Sequence, residues 1–303
     1  MTATSTSPGN HADRTPRGPK RRRRDLSGLT GRIGAMSVLV ILTVYFVVPV
    51  YFLLVSSTKS QGDFASTFGL WFSHLHFSAN IRTLFTTQDG IFGRWAANSL
   101  IYAGGGAVIG TFLSALTGYA LAKFRFRGRD FLFSVVLGGV LVPSATLALP
   151  LFLMFSAVHQ VNTYWAVILP SVVNPFGVFL ARVFASAAVP DELLEAARID
   201  GAGEFRIFWQ VSLRLLTPGL VTIFLFQFIG IWNNFFLPMV MLQSQDLYPI
   251  TLGLFNWNAS VSQQPDLQQS VITGSFVSIV PLIALFLLLQ RFWRTGLSAG
   301  AIK

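Results

Sequence analysis

Five polar or aromatic side chains within long apolar runs are the residues of this sequence best suited to bind a solute. They are Asn174, Gln227, Trp232, Asn233 and Asn234. Amides exchange hydrogen bonds with sugar hydroxyls, and an indole face stacks on the apolar face of a pyranose. A polar group at membrane depth is often functional. Hydrogen bonds between helices of the chain itself explain the same residues equally well, so both interpretations stay open.

The sequence carries no constellation typical of an enzyme. It has no Cys, which excludes a disulfide, a thiol nucleophile and a Cys-ligated metal. His74-Leu75-His76 places two imidazoles where a strand would point both toward one metal ion, but a polar loop explains them better. No Gly-x-x-x-x-Gly-Lys-Ser/Thr segment occurs, so we expect no ATP bound through a P-loop. We expect no cofactor or metal held by this chain.

Long apolar helices are the elements that must position these residues. Hydrophobic residues make up 52% of the chain and charged residues 11%, against about 25% charged residues in a soluble domain. Six apolar runs are each long enough to cross about 30 Å of hydrocarbon. These runs are 33–55, 95–122, 131–157, 164–187, 215–242 and 270–290. We therefore predict an all-α, polytopic membrane protein with about six transmembrane helices.

The charged residues predict the orientation of these spans. Residues 1–31 are polar and basic and too poor in apolar groups to bury a core, so we expect a disordered tail before a membrane domain. The basic run 20–24 directly precedes the first span, which favours contact with anionic lipid over nucleic acid. All but three of the 22 Lys and Arg (Lys59, Arg82 and Arg94) fall on one side of a six-span arrangement. The positive-inside rule then makes both termini cytoplasmic.

Glycine and proline occur inside several predicted spans. Gly106-x-x-x-Gly110 lets helix backbones approach closely, although the sequence does not tell whether the partner helix belongs to this chain. Proline removes a helix hydrogen bond and kinks the helix. Broken helices are typical of transporters, while a packing kink explains any single proline as well. The prolines of the last four spans are Pro143, Pro150, Pro170, Pro175, Pro218, Pro238 and Pro281.

The longest charged segment lies in a predicted loop at 188–217, here named the central loop. Its pattern predicts two short helices, because Pro190 suits a helix start and Gly201 and Gly203 permit the positive φ of a turn. The apolar residues of the second helix follow a 3.6-residue period. Such a loop either lies on lipid as an amphipathic helix or docks in a groove of a soluble partner. The periodic residues are Phe205, Phe208, Trp209, Leu213 and Leu216.

The central loop resembles a known family. Glu195-Ala196-Ala197, then Gly201, then Val211-Ser212-Leu213 is similar to the EAA loop of ABC-importer membrane subunits. The wider pattern covers most of the chain beyond the N-terminal tail. It includes Asn162-Thr163-Tyr164-Trp165 and Trp232-Asn233-Asn234-Phe235, and it resembles the smaller, maltose-type permease of the carbohydrate-uptake class.

One residue departs from that pattern. Arg214 stands where the family usually has Pro, and Pro218 follows four residues later. We therefore expect the second helix of the central loop to run to about Thr217 before it breaks. The C-terminal residues 296–303 also resemble the tail of the family, which reaches the ATPase interface.

The resemblance implies a type I ABC-importer permease of the cytoplasmic (inner) membrane, with both termini and the central loop cytoplasmic. It forms half of the translocation pathway for a sugar. The implied partners are a second, larger permease, two cytoplasmic ATPase subunits that hold ATP and Mg, an extracytoplasmic solute-binding protein and membrane lipid, with no nucleic acid. ATP-driven closure of the ATPase pair would pull on the central loop and rock the spans.

The resemblance also implies roles within the central loop. Glu195 is the expected polar contact with the ATPase. Ala196 and Ala197 allow close approach, and Gly201 makes the turn. Hydrophobic contacts from three further residues are expected to carry much of the docking energy. The full set implied in coupling is Glu195, Ala196, Ala197, Ile199, Asp200, Gly201, Phe205 and Phe208, of which Ile199, Phe205 and Phe208 are the hydrophobic contacts.

Three alternatives remain at this point. A stand-alone secondary transporter needs an ionisable residue within a span for ion coupling, and the predicted spans contain almost none. A membrane enzyme of lipid or sugar transfer needs clustered acids or His near an interface, and the sequence has no such cluster. An ABC permease for a solute other than sugar fits the same residues, since sugar is implied by the resemblance alone.

Overall fold

The computed structural model describes the backbone of residues 26–299 and the side chains of residues 31–292. Within that part of the chain the structure is helical and has no strand, which confirms the predicted all-α class. The α-helices, in chain order, are α1 (Leu26–Ser57), α2 (Gln61–Ser66), α3 (Phe77–Thr86), α4 (Ile91–Leu100), α5 (Gly106–Lys123), α6 (Arg129–Leu141), α7 (Ala148–Ala157), α8 (Tyr164–Val172), α9 (Pro175–Ala188), α10 (Asp191–Ile199), α11 (Glu204–Ile207), α12 (Leu213–Trp232), α13 (Phe236–Met241), α14 (Ile250–Ser260) and α15 (Leu267–Ala299).

The chain divides into two compact units, Met1–Pro49 and Val50–Lys303. Of the predicted disordered tail, residues 1–25 lie outside the described residues, and α1 already begins at Leu26. Of the C-terminal segment expected to reach the ATPase, residues 300–303 lie outside the described residues as well.

Five described stretches are long and apolar enough to cross a membrane. They are Gly31–Ser57, Phe77–Lys123, Tyr164–Ala188, Glu204–Trp232 and Leu267–Phe292. A sixth crossing exists if α6 and the helical segment 144–157 count as one span, although they are bent by 97°. The run predicted as one span at 131–157 is thus a pair of helices broken at Pro143, in line with the interruption expected from its prolines. Pro143 has an extended backbone (ψ 125°) and no N–H with which to continue the helix.

Pro218 has a smaller effect than the sequence suggested. Helical structure begins at Glu204 and continues to Trp232, with Pro218 inside α12. The predicted break after Thr217 is therefore wrong. Pro218 leaves the carbonyl of Arg214 without its helix N–H. The Thr217 hydroxyl donates to the adjacent carbonyl, that of Leu213, over 3.2 Å.

Glycines bring neighbouring helices close to α5. A Cβ added to Gly106 would lie 2.7 Å from the Ile231 side chain, and one added to Gly110 would lie 1.8 Å from Nε2 of Gln227. Gly118 approaches α9 in the same way. Helices α9 and α12 both belong to this chain, so the close contact predicted from the glycine spacing lies within the subunit.

Candidate functional site

The central loop begins with α10, directly after Pro190. The φ of Pro190 is −65°, and a proline costs no backbone hydrogen bond at a helix start. Lys123, the last residue of α5, donates from Nζ to Oδ1 of Asp191 over 2.7 Å. That hydrogen bond and the charge of the ammonium hold the pKa of Asp191 below its ordinary value. The first turn of α10 is thereby linked to the end of α5.

A tight turn separates the two helices of the central loop. Gly201 has φ +79°, as predicted, whereas Gly203 has φ −70° and needs no glycine. Across the turn, Arg198 donates from Nε and Nη2 to the two carboxylate oxygens of Glu204 over 2.6 and 3.3 Å. The carboxylate raises the pKa of Arg198. This two-pronged ion pair fixes the angle between α10 and α11.

The base of the central loop is part of the subunit's own core. Leu194, Ile207 and Phe208 are buried together with residues of α5 and α9. The ring of Phe208 lies 5.1 Å from that of Tyr119 on α5. Only 3% of Phe208 is exposed, so the contact with a partner predicted for this residue is wrong. Phe208 instead anchors the second helix to the membrane helices.

The opposite side of the central loop is apolar and exposed. Ile199 is 86% and Phe205 74% exposed. The Phe205 ring meets the Trp209 ring edge-on at 6.0 Å, and Leu193 on α10 is also exposed. The remaining predicted coupling residues are placed around this surface: Glu195, Ala196 and Asp200 are exposed and Ala197 is half-buried. We name the surface of Leu193, Ile199, Phe205 and Trp209 the apolar face of the central loop.

Three interruptions of membrane helices meet at one open cleft of about 620 Å³. They lie between α6 and α7, between α8 and α9, and between α12 and α13. Since α12 ends at Trp232 and α13 begins at Phe236, the span predicted at 215–242 is interrupted at residues 233–235, shortly before Pro238. Irregular backbone at membrane depth is tolerated where it lines a cavity. Residues of each interruption line the cleft: Val142, Ser144, Val173, Asn174 and Asn234.

Two of the predicted pathway residues line the cleft and bond to each other. Asn174 donates from Nδ2 to Oε1 of Gln227 over 3.0 Å, and its Oδ1 accepts from the N–H of Gly177 at the start of α9. Nε2 of Gln227 donates to the carbonyls of Gly106 and Ser171 over 3.3 and 3.0 Å. These are hydrogen bonds between helices of the chain itself, the second of the two interpretations given for these amides. They hold four helices, α5, α8, α9 and α12, together at the wall of the cleft.

The other three predicted pathway residues differ in position. Asn234 lines the cleft, and its Oδ1 accepts from the N–H of Leu237 over 3.3 Å. Asn233 is exposed but outside the cleft lining. Trp232 is buried and stacks on Phe228 at 5.6 Å, so the structure contradicts its predicted place in the pathway.

The sequence analysis missed several residues of the cleft. Ser144 and Ser171 each follow a proline directly, a signal that marks them as side chains beside a helix interruption. Phe176, Phe226 and Phe236 are partly exposed and also line the cleft. Among the described residues of the lining, none is charged. Neutral hydroxyls and amides beside phenyl rings suit an uncharged polar solute that has an apolar face.

Comparison with known families identifies this architecture. Residues 96–297 match the family described as binding-protein-dependent transport system inner membrane component. The chain belongs to this family. It is a permease subunit of an ABC importer, a multi-pass protein of the inner membrane. The stand-alone secondary transporter considered above is therefore excluded.

Two relatives are similar to this permease over most of its length. It is 38% identical over 217 residues to the arabinooligosaccharides transport system permease protein AraQ of Halalkalibacterium halodurans. That alignment covers 72% of this chain and 76% of AraQ. It is 31% identical to the diacetylchitobiose uptake system permease protein NgcG of Streptomyces coelicolor, over 90% of each chain.

A solved structure shares the permease fold. One chain of a bacterial ABC transporter involved in the import of the acidic polysaccharide alginate superposes with a TM-score of 0.76 at 24% identity. The match covers 91% of this permease and 99% of that chain. At this level of identity the likeness concerns the fold alone.

Proposed function

We propose that this permease forms half of the translocation pathway for an uncharged sugar and couples that pathway to a separate ATPase through the central loop. A second, larger permease forms the other half, two ATPase subunits bind ATP and Mg, and an extracytoplasmic binding protein delivers the solute. The chain itself binds no cofactor. Both termini and the central loop face the cytoplasm, in accord with the distribution of Lys and Arg.

The observation that carries the coupling role is an exposed apolar face on a buried base. Ile199 and Phe205 project from a loop whose Leu194 and Phe208 are buried in the core. Apolar groups gathered on a surface favour a partner, and a helix laid in a groove is a common docking mode. Because the base is packed against membrane helices, movement of the partner is transmitted to them.

The polar residues of the central loop suit a basic groove. Glu195 and Asp200 are exposed beside the apolar face, and carboxylates of this kind pair with Arg or Lys of a partner. Ala196 and Ala197 add little bulk beside Glu195, so a partner backbone approaches α10 closely.

The cleft supports an uncharged substrate. A carboxylated sugar is recognised through Arg or Lys, and the described lining of the cleft offers neither. The names of AraQ, NgcG and the melibiose/raffinose/stachyose import permease MelC of Bacillus subtilis refer to neutral sugars. The Ser144 hydroxyl and the amide of Asn234 lie at the cleft and match sugar hydroxyls, whereas the Asn174 amide is bonded within the wall.

Affinity purification of the tagged permease from its native membrane tests the assembly. We expect a second permease and an ATPase to be recovered with it, and ATP hydrolysis to be a property of the complex. Recovery of the permease alone under conditions that preserve membrane complexes, or ATP hydrolysis by the isolated chain, would contradict the proposal.

A thermal-shift series on the partner binding protein tests the cargo. Neutral di- and oligosaccharides should raise its Tm, whereas uronic-acid oligosaccharides of the same length should not. Stabilisation by the uronic acids alone would contradict the uncharged substrate and leave the assembly untouched.

A further inference from the structure

The segment after α1 folds back beside that helix. We name residues 67–76 the aromatic loop. Its end is fixed at the end of α1, because the N–H of His76 donates to the carbonyl of Thr58 over 2.8 Å. Its middle contacts α1 itself: the ring of Phe72 lies 6.4 Å from that of Tyr51, edge to face. A Cβ on Gly69 would lie 3.5 Å from a ring carbon of the neighbouring Phe52.

These contacts set the depth of the aromatic loop. Tyr51 and Phe52 precede Ser57, the last residue of α1, by five or six residues. At 1.5 Å per residue this places the contacts about 8 Å inside the end of the helix. If α1 crosses the hydrocarbon, the middle of the aromatic loop therefore lies beside its last turns, close to the boundary between hydrocarbon and water.

A buried lysine holds the aromatic loop in this position. Lys59 is 1% exposed. Its Nζ donates to Oγ1 of Thr67 over 2.9 Å and to the carbonyl of Phe68 over 2.7 Å, while its own carbonyl accepts from Asn80. An ammonium buried among neutral acceptors costs free energy. The contact therefore specifies where the loop lies rather than adding to stability.

The outward side of the aromatic loop is strongly apolar. Phe68 is 72% and Trp71 68% exposed, and Leu70, Phe72 and Leu75 are exposed as well. The loop contains no Asp, Glu, Lys or Arg. On α1 the neighbouring side chains of Phe52 and Leu54 are also exposed. The exposed apolar side chains of the loop thus lie beside those of α1, with His74 and His76 as exposed polar residues toward its end.

We propose that the aromatic loop is a lipid anchor, with Phe68 and Trp71 seated among the headgroups and upper acyl chains of the bilayer. Trp and other amphipathic rings concentrate at this level of membranes. Three features of the aromatic loop favour lipid over a protein partner. They are its depth, its lack of Asp, Glu, Lys and Arg, and its position beside exposed side chains of α1. Lys59 is a positioning residue that holds the anchor at the correct level. The inference does not depend on the coupling role of the central loop.

Spin labelling tests the anchor, and the natural absence of Cys leaves no background on this chain. A nitroxide on W71C in the complex reconstituted into nanodiscs should collide with oxygen several-fold more often than with a water-soluble nickel chelate. The matched label on S66C, at an exposed polar position of α2, should show the reverse preference. Equal access of W71C to the nickel chelate would overturn the proposal, and so would protection from both reagents only when the second permease is present.

Tryptophan fluorescence needs no label and tests the anchor even if the W71C variant does not assemble into the complex. The difference in fluorescence between the unmodified complex and Trp71→Phe isolates the emission of Trp71. Lipids brominated near the headgroup should quench that emission more than lipids brominated at the chain ends. In Lys59→Met the quenching should fall, while a retained sugar-uptake rate would show that the complex is intact. Absence of quenching in the unmodified complex would overturn the proposal.

Discussion

The central loop and the cleft place their candidate functional residues in opposite ways. In the loop, Ile199 and Phe205 project outward from a buried base, so their surface is free for a partner. In the cleft, the amides of Asn174 and Gln227 are bonded to each other and to neighbouring helices. The loop thus leaves an apolar surface open, as the proposed docking requires, whereas the amides of the cleft chiefly shape its wall.

The largest expected effect comes from Gly201→Asp, which should abolish transport while leaving membrane insertion intact. At φ +79° a residue with a Cβ is strained by about 1–2 kcal/mol, and the turn that orients α10 is altered. Uptake assays in cells that lack the native gene measure the effect. The matched change Gly203→Asp should retain uptake, because φ there is −70° and Asp is a favoured helix N-cap. Normal uptake by Gly201→Asp would remove the docking role.

Two phenylalanines of the central loop separate docking from folding. Phe208→Ala removes a buried ring and should destabilise the permease by about 3–5 kcal/mol, measured as a fall in Tm in detergent. Phe205→Ala removes an exposed ring and should leave the Tm unchanged while it weakens recovery of the ATPase. An unchanged Tm in Phe208→Ala would contradict the buried base.

A pair of glycines tests the structural role of the amides. Gly110→Ala places a methyl group where Gln227 lies and should lower the Tm by disrupting its bonds, at a cost of about 1–3 kcal/mol. Gly104→Ala meets no atom within 4 Å and should not. Equal Tm values for the two variants would show that the packing around Gln227 is not as described.

The smallest effect is expected at the link between α5 and α10. Asp191→Asn removes the charge that faces Lys123 and should reduce ATP-coupled uptake modestly, with no further loss in high salt, which screens exposed ion pairs. Because the pKa of Asp191 is lowered from 3.8, its contribution to stability is present above that value and is lost as pH falls through the lowered pKa. Hydrogen exchange of α10, corrected for intrinsic rates, should therefore be constant from neutral pH down to that range.

Local features that depend on the conformational limits of one residue could be predicted from the sequence. The turn at Gly201 needs a positive φ, and Pro190 suits the start of a helix, so both were evident from the sequence. The number of spans followed from apolar length. The two prolines Pro143 and Pro218 had opposite outcomes, a 97° bend and an unbroken helix, because the neighbouring helices decide how far a freed carbonyl is satisfied.

The direction in which membrane side chains face was beyond sequence reasoning. Phe208 and Trp232 lie in helices whose lipid side and core side are both apolar, so a 3.6-residue period does not distinguish the two. Both residues were predicted at functional surfaces and both are buried. The cleft was missed for a related reason: it is formed by three interruptions from distant parts of the chain, and only the fold brings Ser144, Asn174 and Asn234 together.

The side of the membrane on which the apolar face of the central loop lies is the most direct test of the account. A single cysteine at Ile199, in a chain that has no other, is labelled with a membrane-impermeant maleimide in intact cells and in inverted vesicles. The account predicts labelling in inverted vesicles alone, and protection when the purified ATPase is added back to stripped vesicles. Labelling of intact cells would contradict it.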